Sequence, residues 1–101
     1  MFKVHRSFID KKMHIILEGR LDVESVQDFD DFVSTMPEVD YDVVVDMSQL
    51  EFSCTAGLRV LLRLRNHIRA CKHNFEVINV SENMCEILEI TGFDQELGIV
   101  Q

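Results

Sequence analysis

The sequence is short of the features that mark membrane spans and exported chains. No aliphatic run is longer than three residues, as at Ile15–Leu17, whereas a membrane-spanning helix requires roughly twenty apolar residues. The first ten residues, MFKVHRSFID, contain no apolar stretch of signal-peptide length. These absences predict a cytoplasmic protein with no direct membrane insertion.

Cysteine is also scarce. Cys54, Cys71 and Cys85 are far apart, and the sequence contains no C-x-x-C pair and no cluster of cysteine and histidine. We therefore expect no metal site and no cofactor, and a reducing compartment requires no disulfide. Cys71 and Cys85 fall on the apolar faces of predicted helices, where a thiol packs as a small hydrophobic side chain.

Basic residues are outnumbered by acidic ones. Ten Lys and Arg against eighteen Asp and Glu give a net charge of −8, which predicts that the protein does not bind nucleic acid. Residues 21–58 contain ten acids and no Lys or Arg, whereas residues 59–72 contain five cations and no acid. The basic segment is interpreted either as a solvated helix face or as a docking face for an acidic protein partner.

The length of 101 residues predicts one domain that spans the whole chain, residues 1–101. Asp10-Lys11-Lys12 predicts a hairpin turn between the first two strands. Three consecutive valines, Val43–Val45, suit a central strand that is covered on both faces. The apolar pattern predicts strands near residues 2–4, 13–18, 41–46, 75–78 and 97–100.

Helices are predicted between the later strands. The first is capped by Asp22 and ended by Pro37, and its apolar residues recur at spacings of three and four: Val23, Val26, Phe29, Val33 and Met36. The second carries one apolar face between Leu58 and Cys71, and the third is capped by Ser81 and ended by Gly92. The order β-β-α-β-α-β-α-β predicts an α/β sandwich with three main helices and a mixed, mostly parallel sheet.

Three small residues, Ser53, Cys54 and Thr55, stand directly before Ala56-Gly57 and the second helix. The start of a helix has backbone N–H groups without intrahelical partners and the positive end of the helix dipole. We expect Thr55 to cap these groups through its side-chain oxygen. A phosphoryl group on Thr55 would be stabilised there and would add about two negative charges without unfolding the domain. Ala56 and Gly57 would keep the surface flat enough for another protein to approach.

Three segments resemble the STAS domain family. VVVDMSQLEFSCTAGLRVLL (residues 43–62) is similar to its core motif, in which an aliphatic strand ends in Asp and a Ser/Thr-rich turn leads into Gly-Leu and a helix. LEGRLD (residues 17–22) resembles the segment before the family's first helix, and FEVINVSENMCEILEITGFD (residues 75–94) resembles its closing strand and helix. The resemblance covers nearly the whole chain in the right order and implies the STAS fold.

Single-domain members of this family are typically bacterial anti-sigma factor antagonists. The resemblance implies that the protein binds an anti-sigma factor, itself a serine/threonine kinase of the histidine-kinase-like ATPase type, and thereby frees a sigma factor for transcription. Phosphorylation by that kinase would release the antagonist, and a serine/threonine phosphatase would reset it. The position that matches the phosphoacceptor is Thr55, and Ser53 is a poorer match because it occupies an apolar position of the motif.

The residues around this acceptor are expected to contact the partner: Asp22, Asp46, Cys54, Ala56, Gly57, Arg59 and Arg63. Family members often have Asp where Cys54 stands and a second Ser where Ala56 stands. Asp46 is interpreted either as an acceptor for backbone N–H groups in the loop after its strand or as a side chain that positions the Thr55 hydroxyl. Asp22 is likewise interpreted either as the cap of the first helix or as a partner contact. Cys54 is also a candidate redox-sensitive thiol.

Three other functions compete with this one. We do not expect an enzyme, because no motif links the four histidines to Thr55 or Cys54 and no Gly-rich phosphate loop is present. A receiver domain with Asp46 as the acceptor lacks the acidic pair and the late lysine that it would need. The alternative that the sequence leaves open is a STAS adaptor that works without phosphorylation, for example as a subunit of a lipid transport complex.

Overall fold

The sheet and helices follow the predicted order over most of the chain. A computed structural model describes residues 1–99. Within them lie four strands, β1 (Phe2–Ile9), β2 (Lys12–Leu21), β3 (Asp42–Ser53) and β4 (Phe75–Ile78), and four helices, α1 (Val26–Ser34), α2 (Thr55–Ala70), α3 (Glu82–Thr91) and α4 (Phe93–Glu96). The strands form one sheet in the order β1-β2-β3-β4, in which β1 and β2 are antiparallel and the other neighbours are parallel. The predicted α/β sandwich with a mixed, mostly parallel sheet is confirmed.

The hairpin between β1 and β2 turns on two residues, Asp10 and Lys11, whereas Lys12 already pairs with Ile9. Both turn residues have positive φ, 52° and 65°. A two-residue turn of this kind has the same right-handed twist as the strands it joins. The predicted turn is therefore correct in place and one residue shorter than expected.

The helices pack on one face of the sheet. Val43 and Val45 of β3 belong to a single buried cluster together with residues of every helix, for example Phe29, Leu61 and Leu88. Val44 is only 4% exposed, yet it lies outside that cluster because it points to the opposite face. The three valines are buried as predicted, but helices cover only one of the two faces.

β3 is longer than predicted, because it continues past Asp46 to Ser53. Its pairing with β2 shifts twice, once opposite residues 16–18 and once opposite residues 19–20, and each shift adds one residue to β3. Such bulges let a strand continue where its alternation of apolar and polar residues is interrupted, as it is at Ser48-Gln49. The extended strand delivers the chain directly to the start of α2.

The start of α1 also differs from the prediction. The helix begins at Val26 with Ser25 in the N-cap position, and Val23 is 78% exposed rather than part of the apolar stripe. Asp22 does not cap the helix: its Oδ1 accepts the N–H groups of Glu24 and Ser25 in the turn that precedes it. The side chain stabilises a tight turn instead, which is a common role of Asp.

The end of the chain corrects the predicted final strand. Residues 97–99 form no strand, because the one-turn helix α4 precedes them and Gly98 turns with a φ of 72°; Val100 lies outside the described residues. The caps of α3 are as predicted, with Met84 donating its N–H to Ser81 Oγ at 3.2 Å and Gly92 in the left-handed region. Among residues 1–99, no helix has the length and apolar character of a bilayer span.

Candidate functional site

The candidate site is the junction where β3 ends at Ser53 and α2 begins at Thr55. Cys54 connects the two elements and is fixed from both sides: its N–H donates to the Leu21 carbonyl at 2.8 Å, and its carbonyl accepts the N–H of Leu58 at 3.2 Å. The first bond ties the junction to the end of β2, and the second closes the first turn of α2. The backbone around Thr55 is therefore held in place by its neighbours on both sides.

Thr55 does not cap α2, which corrects the sequence prediction. The N-cap residue is Cys54, whose φ of −74° and ψ of 166° are the extended values of a cap but whose side chain makes no capping bond. Thr55 is the first helical residue; its side chain is exposed, and its hydroxyl has no hydrogen-bond partner among residues 1–99. The Thr55 hydroxyl is thus open to solvent at the N-terminal end of α2.

The first turn of α2 provides neither an acceptor for its N–H groups nor an acidic side chain of its own. The backbone N–H groups of Thr55, Ala56 and Gly57 have no acceptor within the described residues, and the first turn contains no acidic side chain. Such groups, together with the helix dipole, stabilise a negative charge placed beside them. A phosphoryl group on the Thr55 hydroxyl would meet these conditions.

Ser53, the second hydroxyl of the turn, is buried and only 2% exposed. Its Oγ donates to the Cys54 carbonyl at 3.0 Å, so the hydroxyl is not accessible to a kinase in the folded protein. Gly57 is buried against Ser53 and Leu21. It therefore does not form the flat surface that the sequence predicts, whereas Ala56 is exposed beside Thr55.

The two arginines of the predicted surface have different surroundings. Both line a groove of about 370 Å³ between α1 and α2, next to Ala56. The Arg63 guanidinium binds Asp30 of α1 and donates to Ser34 Oγ at 2.8 Å, so it joins the two helices. Arg59 is exposed and has no carboxylate partner among residues 1–99. Only Arg59 is free to meet an added anion or an acidic partner.

Asp22 lies beside the junction, because it follows Leu21, whose carbonyl binds Cys54. The N–H of Ser25, the Ser25 hydroxyl and the N–H of Glu24 donate to its carboxylate. These bonds, that of the Ser25 N–H first, hold the pKa of Asp22 below its ordinary value of 3.8. Asp22 is thus ionised at neutral pH, next in sequence to the Leu21 carbonyl that binds Cys54.

Asp46 is not part of the junction. It lies seven residues before Ser53 on β3, which corresponds to roughly 20 Å at about 3.3 Å per residue. Its Oδ1 accepts the N–H of Ser48 at 2.8 Å, which matches its interpretation as a backbone acceptor. Burial raises the pKa of Asp46. Hydrogen bonds from Ser48 and Asn79 and the electrostatic interaction with His14 lower it by more than burial raises it, so that the net shift of the pKa is downward.

Metal-binding groups are not gathered anywhere in the described part of the chain, where no three His, Cys, Asp or Glu side chains are placed to hold an ion. The three cysteines are unpaired and partly buried. The functional chemistry of the site is therefore that of the exposed hydroxyl, the unpaired N–H groups and the charges around them.

A family model described as "Mlab, STAS domain" matches residues 4–101. The chain belongs to the STAS domain family. A search of curated proteins finds no match for this STAS domain.

Solved structures share the fold at low sequence identity. An anti-sigma factor antagonist, SpoIIAA in its unphosphorylated form, is 18% identical over 100% of both chains, with a TM-score of 0.70. An anti-sigma factor antagonist STAS domain from Rhodobacter sphaeroides is 20% identical and covers 82% of this chain and 95% of its own, with a TM-score of 0.64. A sulfate transporter family protein from Wolinella succinogenes is 13% identical and covers 91% of this chain and 75% of its own, with a TM-score of 0.73. These similarities show the fold of the STAS domain.

Proposed function

We propose that this STAS domain is a cytoplasmic anti-sigma factor antagonist that is switched by phosphorylation of Thr55. Its partners would be an anti-sigma factor with serine/threonine kinase activity and a serine/threonine phosphatase. The observation that carries the proposal is the exposed Thr55 hydroxyl on the first residue of α2, beside three N–H groups without acceptors. It is supported by neighbours described as anti-sigma factor antagonists, including SpoIIAA described in unphosphorylated and phosphorylated forms.

The unphosphorylated domain would dock through the exposed surface formed by Thr55, Ala56 and Arg59 together with the groove between α1 and α2. The kinase would then transfer the γ-phosphoryl group of ATP to Thr55 Oγ1. An O–P bond forms at Thr55, the bond between the γ-phosphorus and the bridging oxygen breaks, ADP leaves, and a base of the kinase takes the hydroxyl proton. The STAS domain supplies the nucleophile and catalyses nothing itself.

Release follows from charge rather than from unfolding. The added phosphate carries about two negative charges at a junction that already has Asp22 nearby. Placing like charges across an interface costs several kcal/mol, and about 2.7 kcal/mol is enough to weaken binding a hundredfold. Arg59 lies one turn along α2 and would neutralise part of this charge.

The test is phosphorylation of the intact protein by its anti-sigma factor kinase with ATP, followed by mass spectrometry. We expect one phosphate on Thr55, none on Thr55→Ala, and normal labelling of Thr55→Ser and of Ser53→Ala, which serves as the matched control. Calorimetry should show that Thr55→Glu binds the kinase at least about a hundredfold more weakly. Tight binding without any label on Thr55 would contradict the switch.

A second candidate is an adaptor that binds a transporter subunit without phosphorylation. It is favoured by Cys54, which stands where antagonists often have Asp before the acceptor, and by the structural neighbour from a sulfate transporter family. The adaptor would bind its subunit equally well as wild type and as Thr55→Ser, with no phosphate detected after incubation with ATP. Label on Thr55 in the same mixture would argue against it.

A further inference from the structure

The sheet face opposite the helices, here called the open face, is made by alternate residues of the four strands. The register places Ile16 of β2, Asp46 of β3 and Ile78 of β4 side by side on it. The buried side chains of the helices all belong to the cluster on the other face. Ile16 and Ile78 are partly exposed on either side of Asp46, so the centre of the open face has apolar side chains beside a carboxylate and no helix above them.

The charged side chains divide the open face into two halves, which are separated by a line parallel to the strands. The half formed by β1 and β2 carries Lys3, His5, Lys12 and His14, and its single acid, Glu18, is bonded to His5 at 2.8 Å. Over residues 42–46 of β3 and 75–78 of β4, the other half carries Asp42, Asp46 and Glu76 and no Lys, Arg or His; Glu51 lies further along β3, beyond its pairing with β4. A basic half and an acidic half thus lie side by side on one surface.

We propose that two copies of the chain associate through their open faces. A two-fold axis in the interface and parallel to the strands places the basic half of each copy over the acidic half of the other. The register puts Lys12 next to Asp42 across the centre of the sheet, so the rotation sets Lys12 over Asp42 of the second copy twice. An axis perpendicular to the strands would instead superpose like halves. The pattern therefore selects one symmetric arrangement.

The expected association is weak. Four strands at about 4.8 Å spacing and roughly 20 Å of length give on the order of 400 Å² per copy, which is about half of the roughly 800 Å² per partner of a standard specific interface. The net charge of −8 opposes association at long range, but the screening length is about 8 Å at physiological ionic strength. Contacts inside the interface are screened less than this repulsion, so local complementarity can dominate at that ionic strength.

The arrangement has a consequence for the site. Because the axis runs parallel to the strands, the two β3–α2 junctions lie at the same end of the dimer. Two Thr55 surfaces would face the same side and could be bound together by a two-site partner, which would raise the effective affinity. Only this consequence depends on the function proposed above; the association itself does not.

Sedimentation velocity of the full chain from about 10 µM to 1 mM, in 0.15 M salt, tests the proposal. We expect a dimer fraction that increases with concentration. Lys12→Glu should weaken the dimer about tenfold, because it reverses the contact with Asp42 twice in a symmetric interface. Glu76→Lys should weaken it about tenfold as well, because it adds a cation to the acidic half that faces the basic half of the second copy. Both positions are exposed, and circular dichroism checks that both variants remain folded. A mixture of the two variants should give a heterodimer tighter than either homodimer.

Matched controls separate the interface from net charge. Arg69→Glu on α2 and Glu89→Lys on α3 make the same charge changes on exposed helix positions, and we expect them to leave the dimer unchanged. The proposal is overturned if the protein stays monomeric at 1 mM, if the controls weaken the dimer as much as the open-face variants, or if mixing gives no gain. A dimer that neither Lys12→Glu nor Glu76→Lys weakens would also overturn the proposal, because it would have to form through another surface, such as the free edge of β1.

Discussion

Gly57 lies against Ser53 so closely that a β-carbon on Gly57 would come within 2.6 Å of the Ser53 hydroxyl oxygen. The same β-carbon would lie 2.6 Å from Cδ2 of Leu21. The ends of β2 and β3 and the first turn of α2 therefore meet at a glycine that has no space for a side chain. This close contact is what brings the start of α2 onto the sheet and leaves Thr55 on the outside.

Gly57→Ala should destabilise the domain. Alanine is ordinarily better than glycine in a helix by about 1 kcal/mol, but an extra methyl group in a tightly packed interior costs about 1 to 3 kcal/mol. Leu21 is only 1% exposed, so its side chain would have to shift within the packed core, and we expect the steric cost to dominate. Urea unfolding measures the change, with Thr55→Ala, at an exposed neighbour, as the control. An unchanged or higher stability of Gly57→Ala would contradict the close packing.

Cys54→Asp should stabilise the fold. The residue has the backbone angles of an N-cap but no side-chain capping bond, and an Asp there can accept an N–H of the first turn. Good N-cap residues contribute about 0.5 to 2 kcal/mol over alanine, so the midpoint of urea unfolding should increase. Cys54→Ala is the control and should give no gain. Equal stability of Cys54→Asp and Cys54→Ala would contradict a capping role for the side chain at this position.

The same substitution also tests kinase recognition. Antagonists of this family often have Asp before the acceptor, and Cys54→Asp restores that residue. We expect faster phosphorylation of Thr55 in Cys54→Asp than in wild type, measured by the initial rate of phosphate incorporation. Cys54→Asn, which can cap the helix but has no charge, distinguishes recognition of the charge from stabilisation of the helix. Equal rates for Asp and Asn would assign the effect to the cap.

Thr55→Glu should leave the fold intact. The side chain is exposed, and a negative charge on the first helical residue is favourable by about 0.3 to 1 kcal/mol. We therefore expect an equal or slightly higher melting temperature, even though the same variant should bind the proposed partner more weakly. Thr55→Lys places the opposite charge at the same position and should lower the melting temperature. A cooperative loss of structure in Thr55→Glu would show that Thr55 has only a structural role.

Asp42 should make stability depend on pH in the acidic range. Its carboxylate accepts the N–H of Asn74 at 2.9 Å and lies 3.1 Å from His73 Nδ1. The Asn74 bond first, and then His73, hold the pKa of Asp42 below 3.8. Because the folded-state pKa is lowered, this contribution is complete above the unfolded value near 3.8 and is lost as the pH falls through the folded value.

Asp42→Asn measures that contribution. Urea unfolding at a series of pH values should show the variant to be less stable than wild type above about pH 5, with the difference decreasing below about pH 4. Asp40→Asn is the control, since the Asp40 side chain is exposed and makes no hydrogen bond among residues 1–99. A difference that stays constant across the acidic range would assign the effect of Asp42→Asn to geometry rather than to charge.

Much of the fold could be predicted because its signals are local. The period of α2, the caps of α3 at Ser81 and Gly92, and the turn at Asp10-Lys11 are each encoded within a few residues. The continuation of β3 was not predictable, since a bulge depends on how β2 pairs beside it. The apolar residues of 97–99 suit a strand by composition, but they directly follow the helix α4 and form no strand.

The site was predictable in part for the same reason. A helix start after a Ser/Thr-rich turn is a local signal, so the sequence predicts a helix that begins next to Thr55. The predicted cap, Thr55, lies one residue after the N-cap residue Cys54, because cysteine is not among the favoured capping residues and its backbone angles are not visible in the sequence. The burial of Ser53 and Gly57 depends on contact with Leu21, which is more than thirty residues away along the chain. No signal in a single sequence reports that contact.

The spatial order of the strands is identical to their order along the chain. No strand has to be inserted between two that are already paired, and each new strand meets its neighbour at an edge that has just been completed. A ribosome releases the chain from its N-terminus, so β1, β2, β3 and β4 can join the sheet in the sequence in which they are synthesised. During translation, β1 therefore has to remain unpaired only until β2 is synthesised, and each later strand finds its partner already present.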